Sequence, residues 1–233
     1  MKSAIEVKAF YDNYQFKFKH NVRHYIVINK LMDSGLKQTD HVLEIGCGNG
    51  AVTKLIAEKV KNGTVTGLDI SSESISAAKI NLKNCVNAKF IASNVTDYVT
   101  EEKFDVVVLS DVLEHIPIEY HDALFKKIND LLNKDGFIFI NIPDPAFLEW
   151  VAVHEPEKLQ VIDQPLHSDE LISMAYKNGF YLKELRSYSI YKEQYDSQSI
   201  VFIKRAPIAN FKSYPQSKII LKKYWALFTN LIR

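Results

Sequence analysis

Three carboxylates placed at the ends of short apolar runs give the sequence its first chemical signal. Glu44 stands two residues before Gly46 in VLEIGCGNG, Asp69 lies in GLDIS, and Asp111 follows the run FDVVVLS. Gly46, Gly48 and Gly50 permit a tight turn and let a ligand approach the backbone closely. A helix starting after them aims its first amides at that ligand. Gly46, Gly48 and Ala51 also satisfy GxGxxG/A, the fingerprint of nicotinamide dinucleotide sites. Glu44 argues against a dinucleotide, because its carboxylate repels a pyrophosphate and attracts an ammonium or sulfonium. Asp69 suits a ribose in either case, since one carboxylate accepts from both ribose hydroxyls.

The elements that must position these residues follow from hydrophobic periodicity. Strands are predicted over His41–Gly46, Thr64–Ile70, Asn87–Ala92, Phe104–Ser110 and Gly136–Ile142, and helices over Ala51–Val60, Ser72–Leu82 and Tyr120–Leu132. A further helix is predicted over Ser168–Lys177, with Ser168 as its N-cap. Strands alternating with helices imply a parallel sheet covered on both faces. Phe180–Ile190 and Ser197–Lys204 read as two more strands with only a polar turn between them, hence an antiparallel hairpin at one edge. Residues 141–167 lack periodicity and are rich in Pro, His and Asp, the composition of a long loop over the carboxyl end of the sheet.

VLEIGCGNG, then GLDIS, IASNVTD and FDVVVLSDVLEHI, in that order, resemble the class I S-adenosylmethionine-dependent methyltransferases. The resemblance implies an α/β fold: a Rossmann-like, seven-stranded, mostly parallel sheet with helices on both faces and an antiparallel C-terminal hairpin. It implies S-adenosyl-L-methionine as cofactor. Glu44, Gly46, Cys47 and Gly48 would line its methionine part, with Glu44 near the amino group. Asp69 would bind ribose and Ile70 pack on adenine. Ser93, Asn94 and Val95 would form the adenine edge, where Asn94 stands in place of a frequent aspartate. Ser110 and Asp111 would lie beside the sulfonium. A dinucleotide-dependent oxidoreductase and a non-catalytic cofactor-binding module are the competing readings.

The place where amino-methylating enzymes of nucleic-acid bases carry (N/D)PP(Y/F) reads LSDVLEH, which points away from a base acceptor. LSDVLEHIP resembles small-molecule O- and C-methyltransferases, and the preferred acceptor is a hydroxyl of a saccharide or glycan precursor. A hydroxyl needs its proton removed. His115 is the candidate base, with packing under the cofactor as its alternative role. Asp111 is the second catalytic candidate. Paired with Asp144, it offers oxygen ligands to a divalent metal, but no third ligand is evident and no metal is assigned. Asp144, Asp163, Gln164 and His167 are the acceptor-binding candidates from the 141–167 segment. Tyr11 and Tyr14 are those from a predicted N-terminal helical cap, residues 1–36.

The chain has 233 residues, a formal net charge of +1 and 47% hydrophobic residues. A broad nucleic-acid-binding face is normally more basic, so no nucleic-acid partner is expected. Two cysteines make no disulfide framework and fit a reducing, cytoplasmic setting. Residues 37–205 are expected to form the cofactor-binding domain. Residues 206–233 hold five basic side chains and no acidic one, leaving 24 basic against 28 acidic elsewhere. From Gln216, the residues Ile219, Ile220, Tyr224, Leu227, Phe228, Leu231 and Ile232 recur at helical spacing, so this end reads as a basic amphipathic helix. Its apolar face suits the protein itself, a second subunit in a homodimer, or peripheral contact with an anionic membrane.

Overall fold

A computed structural model describes residues 10, 12, 18–204 and 213–231. The first described helix, α1 (Val22–Ser34), is capped by Asn21, whose side chain accepts from the His24 amide, and ends at Gly35 in the left-handed region (φ 116°). It buries Val27, Ile28 and Leu31 against the sheet. Then follow β1 (His41–Ile45), α2 (Ala51–Lys59), β2 (Thr64–Asp69), α3 (Ser72–Asn81), β3 (Ala88–Ala92), β4 (Phe104–Ser110), α4 (His121–Leu131) and β5 (Leu132–Pro143). The chain continues through α5 (Pro145–His154), α6 (Ser168–Lys177), β6 (Phe180–Tyr188), β7 (Ser197–Lys204) and α7 (Gln216–Leu231).

The seven strands lie in the order β3-β2-β1-β4-β5-β7-β6. β1 to β5 run parallel, and β7 is antiparallel to both β5 and β6. The expected hairpin is therefore present, with β7 inserted between β5 and the edge strand. That inserted antiparallel strand separates this sheet from the usual dinucleotide-binding order, 3-2-1-4-5-6. Val106 to Leu109 of β4 are buried on both faces, as a central parallel strand requires. One face packs on Leu124, Phe125, Ile128 and Leu171, and the other on α1 and α2 through Leu31 and Ile56.

Pairing register sets the site. Ile45 lies beside both Leu68 and Leu109, so Gly46, Asp69 and Ser110 emerge together one residue on, at the carboxyl ends of their strands.

Two local expectations differ from the structure. Pro145–His154, expected as loop, is a helix: Asp144 caps it by accepting from the Ala146 amide, and Pro145 occupies its first turn. Asp before Pro at a helix start is a readable signal. Ser168 is the first residue of α6 rather than its cap; His167 holds the cap position without a side-chain hydrogen bond. No helix among the described residues is long and apolar enough to cross a membrane.

Candidate active site

A cavity of about 1010 Å³ opens over the carboxyl ends of β1 to β4. Glu44, Gly46, Cys47, Gly48, Asp69, Ile70, Ser93, Asn94, Val95, Ser110, Asp111 and His115 all line it. The structure thus gathers at one site every cofactor residue expected from sequence, and both catalytic candidates.

On the β1–β2 side the backbone does most of the shaping. Gly46 has φ 72°, and a Cβ there would meet the side chain of Val112 at 2.3 Å. Gly48, at φ 52°, has nothing within 4 Å of such a Cβ: the first glycine is closed against protein and the second is open to the cavity. Asp69 accepts from the Gly48 amide (2.8 Å) and the Ser71 amide (2.9 Å), one on each carboxylate oxygen. These bonds tie the glycine turn to the start of α3 and leave each oxygen capacity for a ligand hydroxyl. Burial still holds the Asp69 carboxyl above its ordinary range, against those two amides.

Glu44 is buried on the cavity floor and accepts from the Thr53 hydroxyl of α2. Burial pushes its carboxyl up to about 8, with Thr53 opposing and Asp69 adding to the shift. A cation set against it would restore the lost solvation and favour the carboxylate. Cys47 is core as well as cavity wall: it packs with Ile75, Ala78 and Phe90, and burial pushes its thiol up. Asn94 spends its side-chain oxygen on the Thr96 amide (3.3 Å), capping the 3-10 turn Val95–Asp97.

On the β4–β5 side the two catalytic candidates are both held by other groups. Arg23 of α1 donates to both carboxylate oxygens of Asp111, from Nε to Oδ2 (2.8 Å) and from Nη2 to Oδ1. The Asn141 amide adds a bond at 3.3 Å. Asp111 has φ 56°, the only positive φ of a non-glycine residue among those described. Burial disfavours the guanidinium charge, but Asp111 outweighs it and holds Arg23 protonated. Tyr188 donates to Asn141 and extends the network to β6.

His115 is likewise held from both sides. Nδ1 lies 2.6 Å from the Ile162 carbonyl and 3.0 Å from Asp163 Oδ1. Nε2 lies 3.2 Å from the carboxamide of Gln160. Burial opposes a charge on the ring, but Asp163, the neighbouring Glu114 and the Ile162 carbonyl outweigh it, and the histidine is pushed up to about 9. An imidazolium at neutral pH is a poor base.

The acceptor-binding candidates disperse. Asp163 turns inward to His115 and to the Gln160 amide. Gln164 donates to the carbonyls of Glu114 (3.3 Å) and Ile116 (2.9 Å), pinning the loop beneath the site. Asp144 caps α5 and accepts from Ser187. His167 is half-exposed and pairs with Glu149. None of these four lines the cavity. Tyr11 and Tyr14 lie outside the described residues. No group of three or more residues able to hold a metal occurs among those described.

Sequence reading missed Arg23 and Gln160, which join the site from about 90 and 45 residues away, and Glu114, buried with Oε2 unpartnered among the described residues. Burial raises its carboxyl.

Residues 42–136 match a family described as a methyltransferase domain. The chain is 27% identical over 107 residues to (S)-coclaurine N-methyltransferase of Thalictrum flavum subsp. glaucum, covering 45% of this chain and 29% of that protein. It is 28% identical over 109 residues to trans-aconitate 2-methyltransferase of Escherichia coli O157:H7, covering 47% of this chain and 41% of the relative. The chain thus spans well under half the length of these two curated relatives. Among solved structures, magnesium protoporphyrin IX methyltransferase from Synechocystis PCC 6803, with bound SAH, shares the fold at a TM-score of 0.70. It is 16% identical, over 88% of this chain and 100% of that one. Residues 42–136 thus match a methyltransferase-domain family, and the glycine turn, the acidic end of β2 and the inserted antiparallel β7 sit in a sheet that shares the fold of this S-adenosylhomocysteine-bound methyltransferase.

Proposed function

We propose that this protein transfers a methyl group from S-adenosyl-L-methionine to a small acidic acceptor. The open space in front of Gly48, with Glu44 below it and Asp69 beside it, carries the cofactor assignment. These residues fit an adenosyl amino acid: Asp69 takes the ribose hydroxyls, the buried Glu44 faces the ammonium, and Ile70, Ser93, Asn94 and Val95 border the adenine. When bound, the cofactor supplies an electrophilic methyl, and much of the rate then comes from alignment.

The acceptor reading comes from the opposite wall. A saccharide hydroxyl, the acceptor expected from sequence, asks for a base. The two residues that could serve are engaged, Asp111 by Arg23 and His115 by Asp163 and Ile162. An acceptor that enters already ionised needs none. A carboxylate meets that condition, and Lys19, which lines the same cavity, offers it an opposite charge. Val112, Ile116, Pro117 and Leu124 give its body an apolar wall. The chain's residues then bind and orient a carboxylate oxygen, exclude water and move no proton.

The test is a transfer assay with methyl-labelled cofactor on paired acceptors, each carboxylic acid beside its alcohol and a set of saccharides. The expected product is a methyl ester, which releases labelled methanol in alkali. A base-stable ether formed on a saccharide would restore the hydroxyl acceptor and demand a base not yet identified. A protein that gives no calorimetric signal with S-adenosylhomocysteine would overturn the cofactor assignment itself.

A further inference from the structure

We propose that α7 is an interfacial anchor that lays the protein on an anionic membrane surface. The observation is an uncovered apolar face. Leu221 is 73% exposed, Trp225 70%, Tyr224 66% and Phe228 62%, and Ile219, Ile220 and Leu227 are about half exposed. Large apolar side chains in this number are not left in water without a partner.

The arrangement around the helix says what that partner is. At about 100° per residue, Leu227, Ile220, Tyr224, Phe228, Leu221 and Trp225 occupy one continuous arc of about 160°. Lys223 borders the arc on one side and Lys218 on the other, with Lys222 on the polar face. Lysines at these borders can lay their stems on the apolar surface while keeping the ammonium in water. The helix has 16 residues, about 24 Å at 1.5 Å per residue, and carries three lysines. It is too short and too charged to span a bilayer, and the right size to lie in its surface.

Charge then separates a membrane from a second copy of the helix. Residues 206–233 carry five basic groups and no acidic one, against a balance of −4 over the rest of the chain. Two such tails repel each other. An anionic surface attracts the tail and repels the body, which fixes which side of the protein faces the lipid. None of this rests on the methyl-transfer reading, and its test uses no cofactor.

The experiment is sedimentation of the full chain with vesicles of phosphatidylcholine alone and of phosphatidylcholine with one-quarter phosphatidylglycerol. Three other chains are compared: one ending at Tyr214, one with Lys218, Lys222 and Lys223 changed to Gln, and one carrying Leu221→Glu with Phe228→Glu. The full chain is expected to partition onto the anionic vesicles at low salt. The lysine variant is expected to bind about a hundredfold more weakly, because each basic residue near an anionic surface contributes about fivefold. The truncated chain and the glutamate variant are expected to stay in solution. The proposal is overturned if the full chain fails to sediment, if the truncated chain binds equally, or if neutral vesicles bind as well as anionic ones. A full-length dimer that becomes monomeric on truncation, without vesicle binding, would assign the face to a second copy instead.

Discussion

Over β1 and β2 the cavity wall is made from backbone and from residues near one another in the chain. The amides of Gly48 and Ser71 meet Asp69, 21 and 2 residues away. Over β4 and β5 the wall residues Asp111 and His115 are held from behind by groups brought from afar: Arg23 to Asp111 across 88 residues, Asn141 to Asp111 across 30 with Tyr188 on Asn141 across 47, and the Ile162 carbonyl to His115 across 47. The first wall has fixed its hydrogen-bonding groups in turns and can take the same ligand whatever is packed further out. The second wall exists only when α1, the 141–167 segment and β6 have all docked. One side therefore fits an invariant ligand, and the other can be altered by changing what docks.

The sharpest break in this comparison is Asp69→Ala. It removes both amide bonds within the turn and the acceptor for the ribose. Two charge-assisted bonds of about 1.5–3 kcal/mol each predict at least a hundredfold weaker binding of S-adenosylhomocysteine, read by calorimetry. A loss below tenfold would mean that the turn does not depend on its carboxylate.

Arg23→Met attacks the other wall. It leaves Asp111 without its cation at a positive φ. A fully buried pair broken this way costs about 3–5 kcal/mol, and partial exposure of Asp111 reduces that to about 2 kcal/mol. Denaturant unfolding should show this loss, and Arg23→Met combined with Asp111→Asn should recover most of it. Cofactor affinity should change far less than with Asp69→Ala; an equal change would erase the distinction between the walls.

The least local effect is in pH. His115 is raised from 6.5 to about 9 in the folded protein. Its contribution to stability is complete below about 6.5 and is lost as pH rises through about 9. Glu44, raised from 4.5 to about 8, acts in the same direction over a lower window. The melting midpoint should thus fall as pH rises from 6.5 to 9, read by thermal unfolding at a series of pH values. His115→Gln should flatten that upper part of the profile; an unchanged slope would place the titration elsewhere.

The same contrast explains what could be read from the sequence. Strands, most helices and the β1–β2 wall were legible because their determinants are local: an apolar run, a glycine turn, an acid closing a strand. Even the antiparallel hairpin was visible, from the lack of a helix between Tyr188 and Ser197. Arg23 was not, because nothing in its neighbours indicates a partner 88 residues on. Asp163 and Gln164 stand out in the sequence as polar groups able to grip an acceptor, but the direction of a loop side chain is not written in its neighbours, and these two turn inward to His115 and to two carbonyls. The Pro and His content of its segment disguises helix α5, whose readable signal is the Asp144–Pro145 start.

The Arg23–Asp111 pair also bears on modularity. The segment recognised as the family's domain, residues 42–136, contains Asp111 but not the guanidinium that neutralises it. It ends within β5, before β7 has been added beside that strand. A polypeptide cut to those limits would expose a strand edge and leave a carboxylate in a left-handed turn with no counter-charge. The piece of this chain that keeps that carboxylate paired and that strand covered is therefore larger than residues 42–136, and it reaches back to Arg23 in the first turn of α1.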